Sequence, residues 1–157
     1  MTDGGVDDRK PLRDLGGSQS RDREERQPLD RMELIPDGPP YRQLKAWIES
    51  RDLAVLVYKT FARRTPSIDR GLADQIRRAA ISIPSNIAEG NGRGSNRDSL
   101  RFLYIARGSL CELETQVEVC LRLDIIPAED AHSLNERMAL VGRLIGGLIT
   151  YRKSRPD

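Results

Sequence analysis

The chain has one histidine, two cysteines and no long apolar segment, and each shortage excludes a class of protein. A di-iron helical bundle needs a Glu-x-x-His motif on each of two helices, and His132, in the string EDAH, supplies only one. The longest apolar run, LAVLVY at residues 53–58, is far shorter than the roughly 20 residues that cross a bilayer. We therefore expect no metal, no cofactor and no membrane contact.

The two cysteines indicate a reducing compartment. Cys111 and Cys120 lie nine residues apart in one predicted helix, which separates them by about 13 Å along its axis. That distance is too long for a disulfide within the chain. The N-terminus also lacks an apolar signal core. We expect a reduced, cytoplasmic protein.

The motifs of common enzyme classes are also missing. GNGRG, at residues 90–94, resembles a phosphate-binding loop only superficially, because it follows a predicted helix rather than a strand. A Cys–His pair would need His132 beside Cys111 or Cys120, with nothing evident to orient it. We expect that the protein is not an enzyme.

Charge and composition divide the chain at about residue 40. Residues 1–40 carry ten acidic and seven basic side chains and almost no apolar periodicity, which predicts a disordered extension. Residues 41–157 carry fourteen acidic and nineteen basic side chains. We predict that they form a helical domain at residues 41–153 followed by a short tail at residues 154–157. Arginine supplies 22 of the 26 basic residues. Arginine suits phosphate contacts, although a genome rich in G and C would favour arginine codons as well.

Four segments have helical periodicity, at about residues 42–62, 69–89, 96–123 and from residue 127 onward. The last two repeat apolar residues every seven positions, as in packed bundles. Short connections make consecutive helices antiparallel, so we predict an all-α, up-down four-helix bundle. The expected apolar face of the first helix consists of Leu44, Trp47, Ala54, Tyr58 and Phe61, supported by Ile48, Leu53 and Val57. The expected core positions of the other two helices are Leu103, Ala106, Leu110, Leu113, Val117 and Cys120 in the third, and Ala131, Leu134, Met138, Val141, Ile145 and Leu148 in the fourth.

The second helix contains a proline inside its apolar pattern. Pro84 removes a backbone donor and pushes against the carbonyl of Ala80, at a cost of about 3 kcal/mol. Ser85 and Asn86 are expected to satisfy the backbone groups that the proline frees. The alternative is that they contact a second subunit.

The positions of glycine and serine residues predict where helices begin and end and where two helices lie close together. Gly90 is expected to end the second helix in the left-handed conformation. Ser95 is expected to cap the third, with Asp98 placed to reach back to it. Gly108, inside the third helix, indicates a close approach to another helix, because glycine there costs about 1 kcal/mol relative to alanine. The Gly146–Gly147 pair has two interpretations, a close approach to another helix or a loose end of the fourth helix.

Two strings carry a family resemblance. SIPSNIAEGNGR at residues 82–93 and RFLYIARGSLCELETQVE at residues 101–118 resemble the bacterial 23S rRNA intervening-sequence proteins, whose relatives include the accessory variability proteins of diversity-generating retroelements. The resemblance, from Tyr41 to Arg152, implies a four-helix bundle, a homopentamer, a basic surface that binds nucleic acid, and a reverse transcriptase as partner. Asp124 stands where the family commonly has glycine, between helices three and four.

Five arginines are the candidate nucleic-acid contacts. Cations at a helix N-terminus are unfavourable, and a bound phosphate would reverse that effect. The alternative is a solvated basic face, with Arg78 paired to Asp74. We predict a non-enzymatic, homo-oligomeric adaptor that binds RNA or DNA, with a structural or protein-interaction module as the rival. The candidates are Arg77, Arg78, Arg93, Arg97 and Arg101.

Overall fold

Four long helices contain most of the residues that the computed structural model describes, which are residue 1, residues 38–62 and residues 68–155. No strand occurs in these ranges, so the predicted all-α fold is confirmed. Residues 2–37 of the predicted extension and residues 156–157 of the predicted tail lie outside the described residues. A 3-10 turn at Pro40–Gln43 precedes α1 (Lys45–Ala62), α2 (Arg70–Asn91), α3 (Asn96–Arg122) and α4 (Ala128–Lys153).

Each helix packs against its neighbours in sequence, and α1 packs against α4 to close the bundle. The hydroxyl oxygens of Ser82 and Ser109 lie 2.8 Å apart between α2 and α3. An ion pair between Glu49 and Arg137 joins α1 to α4. The helices therefore run up and down in the predicted order.

The core is almost entirely aliphatic, and the seven-residue pattern of α3 is buried at every predicted position. In α4 the pattern is correct as far as Ile145, but Leu148 is only partly buried and Ile149 takes the next buried position. In α1 the prediction is wrong at Tyr58, whose surface is 43% exposed. Ala54, Phe61 and the supporting positions Leu53 and Val57 are buried as predicted.

Helix α2 continues through Pro84, which is itself buried. The Ser85 hydroxyl donates to the carbonyl of Ile81 at 2.8 Å, and the Asn86 amide donates to the carbonyl of Ser82 at 2.7 Å. Both acceptors lie in the turn before the proline, but neither is the Ala80 carbonyl, which is the group that loses its donor to the proline. The two side chains therefore bond the backbone beside the proline without satisfying the freed carbonyl as expected.

The end of α2 differs from the prediction. Gly90 is not a left-handed cap but a buried helical residue, and α2 runs on to Asn91 with Gly92 as its cap at φ −80°. A Cβ atom on Gly90 would lie 3.1 Å from the Ser99 carbonyl oxygen and 3.1 Å from the Cβ of Phe102. The glycine therefore permits the backbones of α2 and α3 to approach closely beside their connecting turn.

The ends of α3 are well defined. Ser95 caps it as predicted, accepting a hydrogen bond from the Asp98 amide at 3.1 Å. At the other end Asp124 adopts a left-handed φ of 54°. The amide of Ile125 donates to the Cys120 carbonyl and that of Asp124 to the Leu121 carbonyl, which is a Schellman motif. Aspartate tolerates this conformation, so the turn forms where the family commonly has glycine.

Gly108 has no described atom within 4 Å of where its Cβ would lie, so the close approach expected there is absent among the residues that the structure describes. The same holds for Gly146 and Gly147. Of the two cysteines, both free, Cys111 is exposed and Cys120 is buried, and burial raises the pKa of the Cys120 thiol. Within the described ranges, no helix combines the length and apolarity needed to cross a membrane.

We predict that Gly90→Ala lowers the free energy of unfolding by about 1–2 kcal/mol. Crowding against the α3 backbone costs about 1–3 kcal/mol, and alanine regains up to about 1 kcal/mol of helix propensity. Gly108→Ala is the matched control and should be neutral or stabilising by up to about 1 kcal/mol. Urea denaturation followed by circular dichroism measures both. A Gly90→Ala protein as stable as the wild type would contradict the close approach.

Candidate nucleic-acid interface

A basic groove lies where the start of α3 meets the end of α4. Five of its lining side chains are cationic, and none of its lining residues among those described is acidic. Because α3 and α4 are antiparallel, residues about fifty positions apart in the chain come together there. The residues that line the basic groove are Asn96, Arg97, Leu100, Arg101, Tyr104, Arg152, Lys153 and Arg155.

Hydrogen bonds to Asn91 and Asn96 fix the end of α4 in this position. The guanidinium of Arg152 donates to the side-chain oxygen of Asn96 at 3.3 Å and to that of Asn91 at 3.5 Å. The Asn96 amide in turn donates to the backbone carbonyl of Arg155 at 3.2 Å. Arg152 therefore links three helices, and the basic groove has a defined wall on the α4 side.

Two exposed tyrosines accompany the cations. The guanidinium carbon of Arg107 lies 4.8 Å from the centre of the Tyr104 ring, and the ammonium of Lys153 lies 5.7 Å from it. On α4, the Arg155 guanidinium lies 4.5 Å from the centre of the Tyr151 ring. Such cation–π contacts hold the cations beside the aromatic rings.

The helix dipoles act differently on the two walls. Arg152 and Lys153 occupy the last turn of α4, where the partial negative charge of a helix C-terminus favours cations. Arg97 lies in the first turn of α3, where the partial charge is positive and a cation is disfavoured. The same first turn holds Asp98, whose carboxylate favours the positive helix end.

Arg93 lies in the turn between α2 and α3 and is occupied by two contacts. It forms an ion pair with Glu89, and its guanidinium carbon lies 4.4 Å from the centre of the Phe102 ring. These contacts do not place it in the basic groove. Phe102 is partly buried beneath it.

Arg77 and Arg78 lie toward the other end of the bundle. Ser82 faces Ser109, so Arg77, five residues earlier, lies level with residue 114 of the antiparallel α3, about 25 Å along the axis from Arg97. The predicted pair between Arg78 and Asp74 does not form. Instead Arg77 pairs with Asp74 at 3.2 Å, at a spacing of three residues. The structure thus joins Arg97 and Arg101 and separates them from Arg77 and Arg78.

An apolar patch lies on the face that α1 and α2 share. Val55, Tyr58 and Ile81 are each more than 40% exposed. Together with Ala54 and Pro84 they line a shallow pocket flanked by cationic side chains. We call Val55, Tyr58 and Ile81 the apolar patch.

His132 lies on the exposed face at the start of α4, with its Nε2 atom 3.5 Å from the carboxylate of Glu136. In the ranges that the structure covers, no group of three or more histidine, cysteine, aspartate or glutamate side chains is placed to hold a metal ion. The EDAH string is accounted for by an exposed first turn.

The 23S rRNA-intervening sequence protein family matches residues 42–147 of this sequence, about two thirds of the chain. The chain belongs to this family. The match covers nearly all of the four helices and includes the basic groove residues of α3. It ends just before the cations of α4.

A solved structure from Bacteroides thetaiotaomicron is similar to this intervening-sequence family member. It is described as a protein with unknown function from the S23 ribosomal protein family. The two chains are 26% identical, with a TM-score of 0.61, and the likeness covers 66% of this chain and 97% of the other. A comparison with curated proteins found no significant match.

Three cations and one aromatic of this family member's groove escaped the sequence reasoning. Arg152, Lys153 and Arg155 form a short basic run about fifty residues from Arg101. The signals that could have found them are this run and the up-down topology, which places the end of α4 beside the start of α3. The exposure of Tyr104 beside the cations was not predicted.

We predict that Arg152→Ala lowers the free energy of unfolding by about 1 kcal/mol, because it removes charged hydrogen bonds that link helix ends. Arg101→Ala, on an exposed position of α3, should change it by less than about 0.5 kcal/mol. Thermal and urea denaturation compare the two. Equal stabilities for both variants would show that Arg152 does not anchor α4.

Proposed function

We propose that this intervening-sequence family member is a non-enzymatic, cytoplasmic protein that binds nucleic acid by contacting phosphates through the basic groove. The observation that carries the proposal is the convergence of five cations without a described acidic neighbour in the lining. Arginine donors match phosphate oxygens in geometry and charge. A polyanion would offset the repulsion among the five side chains.

The position of the cations supports a bound anion. Arg97 lies at the N-terminus of α3, in the same first turn as Asp98, and lines the groove together with four other cations. Phosphate is a ligand that both the helix N-terminus and an arginine side chain attract. The family name refers to ribosomal RNA, which is consistent with this chemistry.

The proposal includes assembly into a homo-oligomer, a pentamer by the resemblance to the accessory variability proteins. The apolar patch supports it, because three large apolar side chains on adjacent helices are left exposed. The resemblance implies a reverse transcriptase as the partner, beside which the protein would act as an adaptor. The rival, a protein-interaction module with a solvated basic face, would use the same patch.

We predict that the chain binds short RNA and DNA oligonucleotides with an affinity that falls steeply as salt rises. Each lost phosphate contact should lower the slope of log Kobs against log[salt] by about 0.7–0.9. Arg101→Ala should therefore weaken binding and reduce the slope by that amount. Filter binding across a salt series measures both quantities.

Arg78→Ala is the matched control, because Arg78 is an exposed arginine of α2 outside the groove. It should change affinity less than Arg101→Ala does. Equal losses in the two variants would assign binding to the whole basic surface. No binding at low salt by folded protein would remove the nucleic-acid function and leave the interaction module.

We predict that Ile81→Glu reduces the oligomer to smaller species, because a charge in the apolar patch would be desolvated in an interface. Val119→Glu is the matched control, since Val119 is similarly exposed on α3 but lies outside the patch. Light scattering after size exclusion gives the mass of each variant. A wild-type monomer at micromolar concentration would contradict the assembly.

A further inference from the structure

We propose that the basic groove binds single-stranded RNA or DNA in preference to duplex, with an unstacked base lying on the ring of Tyr104. The inference rests on the proposed phosphate-binding function and adds the class of ligand to it. It depends on the arrangement of charge and aromatic surface along α3.

Arg97, Arg101 and Tyr104 form one stripe on α3. They are spaced by four and three residues, which places them on the same side of a helix. From Arg97 to Tyr104 the axis advances by about 10 Å. A strand that follows this stripe meets two phosphate donors and then an aromatic face.

The Tyr104 ring is 36% exposed and lines the groove rather than the core. Arg107 and Lys153 lie over the ring, 4.8 and 5.7 Å from its centre, as cation–π partners. A base that stacks on this ring would take the place of one of these cations. The displaced cation would then lie close to the phosphates on either side of the base.

The α4 wall repeats the combination. Arg155 lines the groove, and its guanidinium lies 4.5 Å from the centre of the exposed Tyr151 ring. Guanidinium planes stack on bases as aromatic rings do. The groove therefore presents the Tyr104 ring on its α3 wall and the Arg155 guanidinium on its α4 wall.

A duplex cannot use these surfaces. Its bases are stacked on one another and present only their edges in the grooves, so the faces that would lie on Tyr104 are covered. Duplex binding would consist of phosphate contacts alone. Proteins that take up single strands combine a basic groove with aromatic platforms for successive bases, and this is the combination present here.

Fluorescence anisotropy of labelled oligonucleotides at low salt tests the proposal on the full chain. The probes are a single-stranded RNA, a single-stranded DNA of the same sequence, and the corresponding DNA duplex. Tyr104→Leu should weaken single-strand binding about 5- to 100-fold, the range for a lost stacking ring. It should leave duplex binding unchanged, and Tyr104→Phe should retain single-strand binding.

Val119→Ala is the control, because Val119 is a similarly exposed residue of α3 outside both the groove and the apolar patch. Equal affinity for single strand and duplex, with Tyr104→Leu without effect, overturns this inference and leaves phosphate binding intact. A single-strand preference that survives Tyr104→Leu removes Tyr104 from the site. Failure of the folded wild type to bind any probe overturns the proposed function as well.

Discussion

The approach of α2 to α3 at Gly90 is the contact on which the candidate interface depends. A side chain at this position would meet the Ser99 carbonyl and the Cβ of Phe102, both 3.1 Å away. With glycine there, α2 ends beside the first turns of α3 and the connection needs only four residues. That connection places Asn91 and Asn96 together, and these two side chains receive Arg152. The geometry of the groove follows from backbone contact at the helix ends.

The helix dipoles stabilise the cations on the α4 wall of the groove and disfavour the cation at the start of α3. The cations of α4 complement the C-terminal dipole of their own helix, and Arg152 is hydrogen bonded as well. On α3, Arg97 lies in the first turn, at the positive end of its helix, and Arg101 lies one turn further on. The dipole of α4 therefore favours the cations of its own wall, whereas the dipole of α3 does not favour Arg97.

The fold was predictable from the sequence because its signals are local. The seven-residue repeat of α3 identified each buried position from Leu103 to Cys120, and Ser95 was identified as a cap from its own chemistry. The prediction was wrong where tertiary contacts decide. Gly90 packs against α3 instead of ending α2, and Tyr58 turns outward because two neighbouring aliphatic residues fill the core.

The candidate site was only half predictable for the same reason. Arg97 and Arg101 were found because they lie close together near a helix start. Their partners at the end of α4 became neighbours only through the packing of antiparallel helices. Arg78 was expected to pair with Asp74 at four residues, but Arg77 pairs at three. Both spacings are allowed on a helix, and the surroundings of each side chain select between them.

Because its two walls come from distant parts of the sequence, the basic groove exists only when α3 and α4 are docked. A ligand that needs both walls has little affinity for the unfolded chain. Occupancy therefore shifts the folding equilibrium toward the native state by RT ln(1 + [L]/Kd), or about 2.7 kcal/mol at a hundredfold excess over Kd. That is a sizeable share of the stability of a small domain. Through Arg152, the protein's resistance to unfolding and the supply of its ligand are linked.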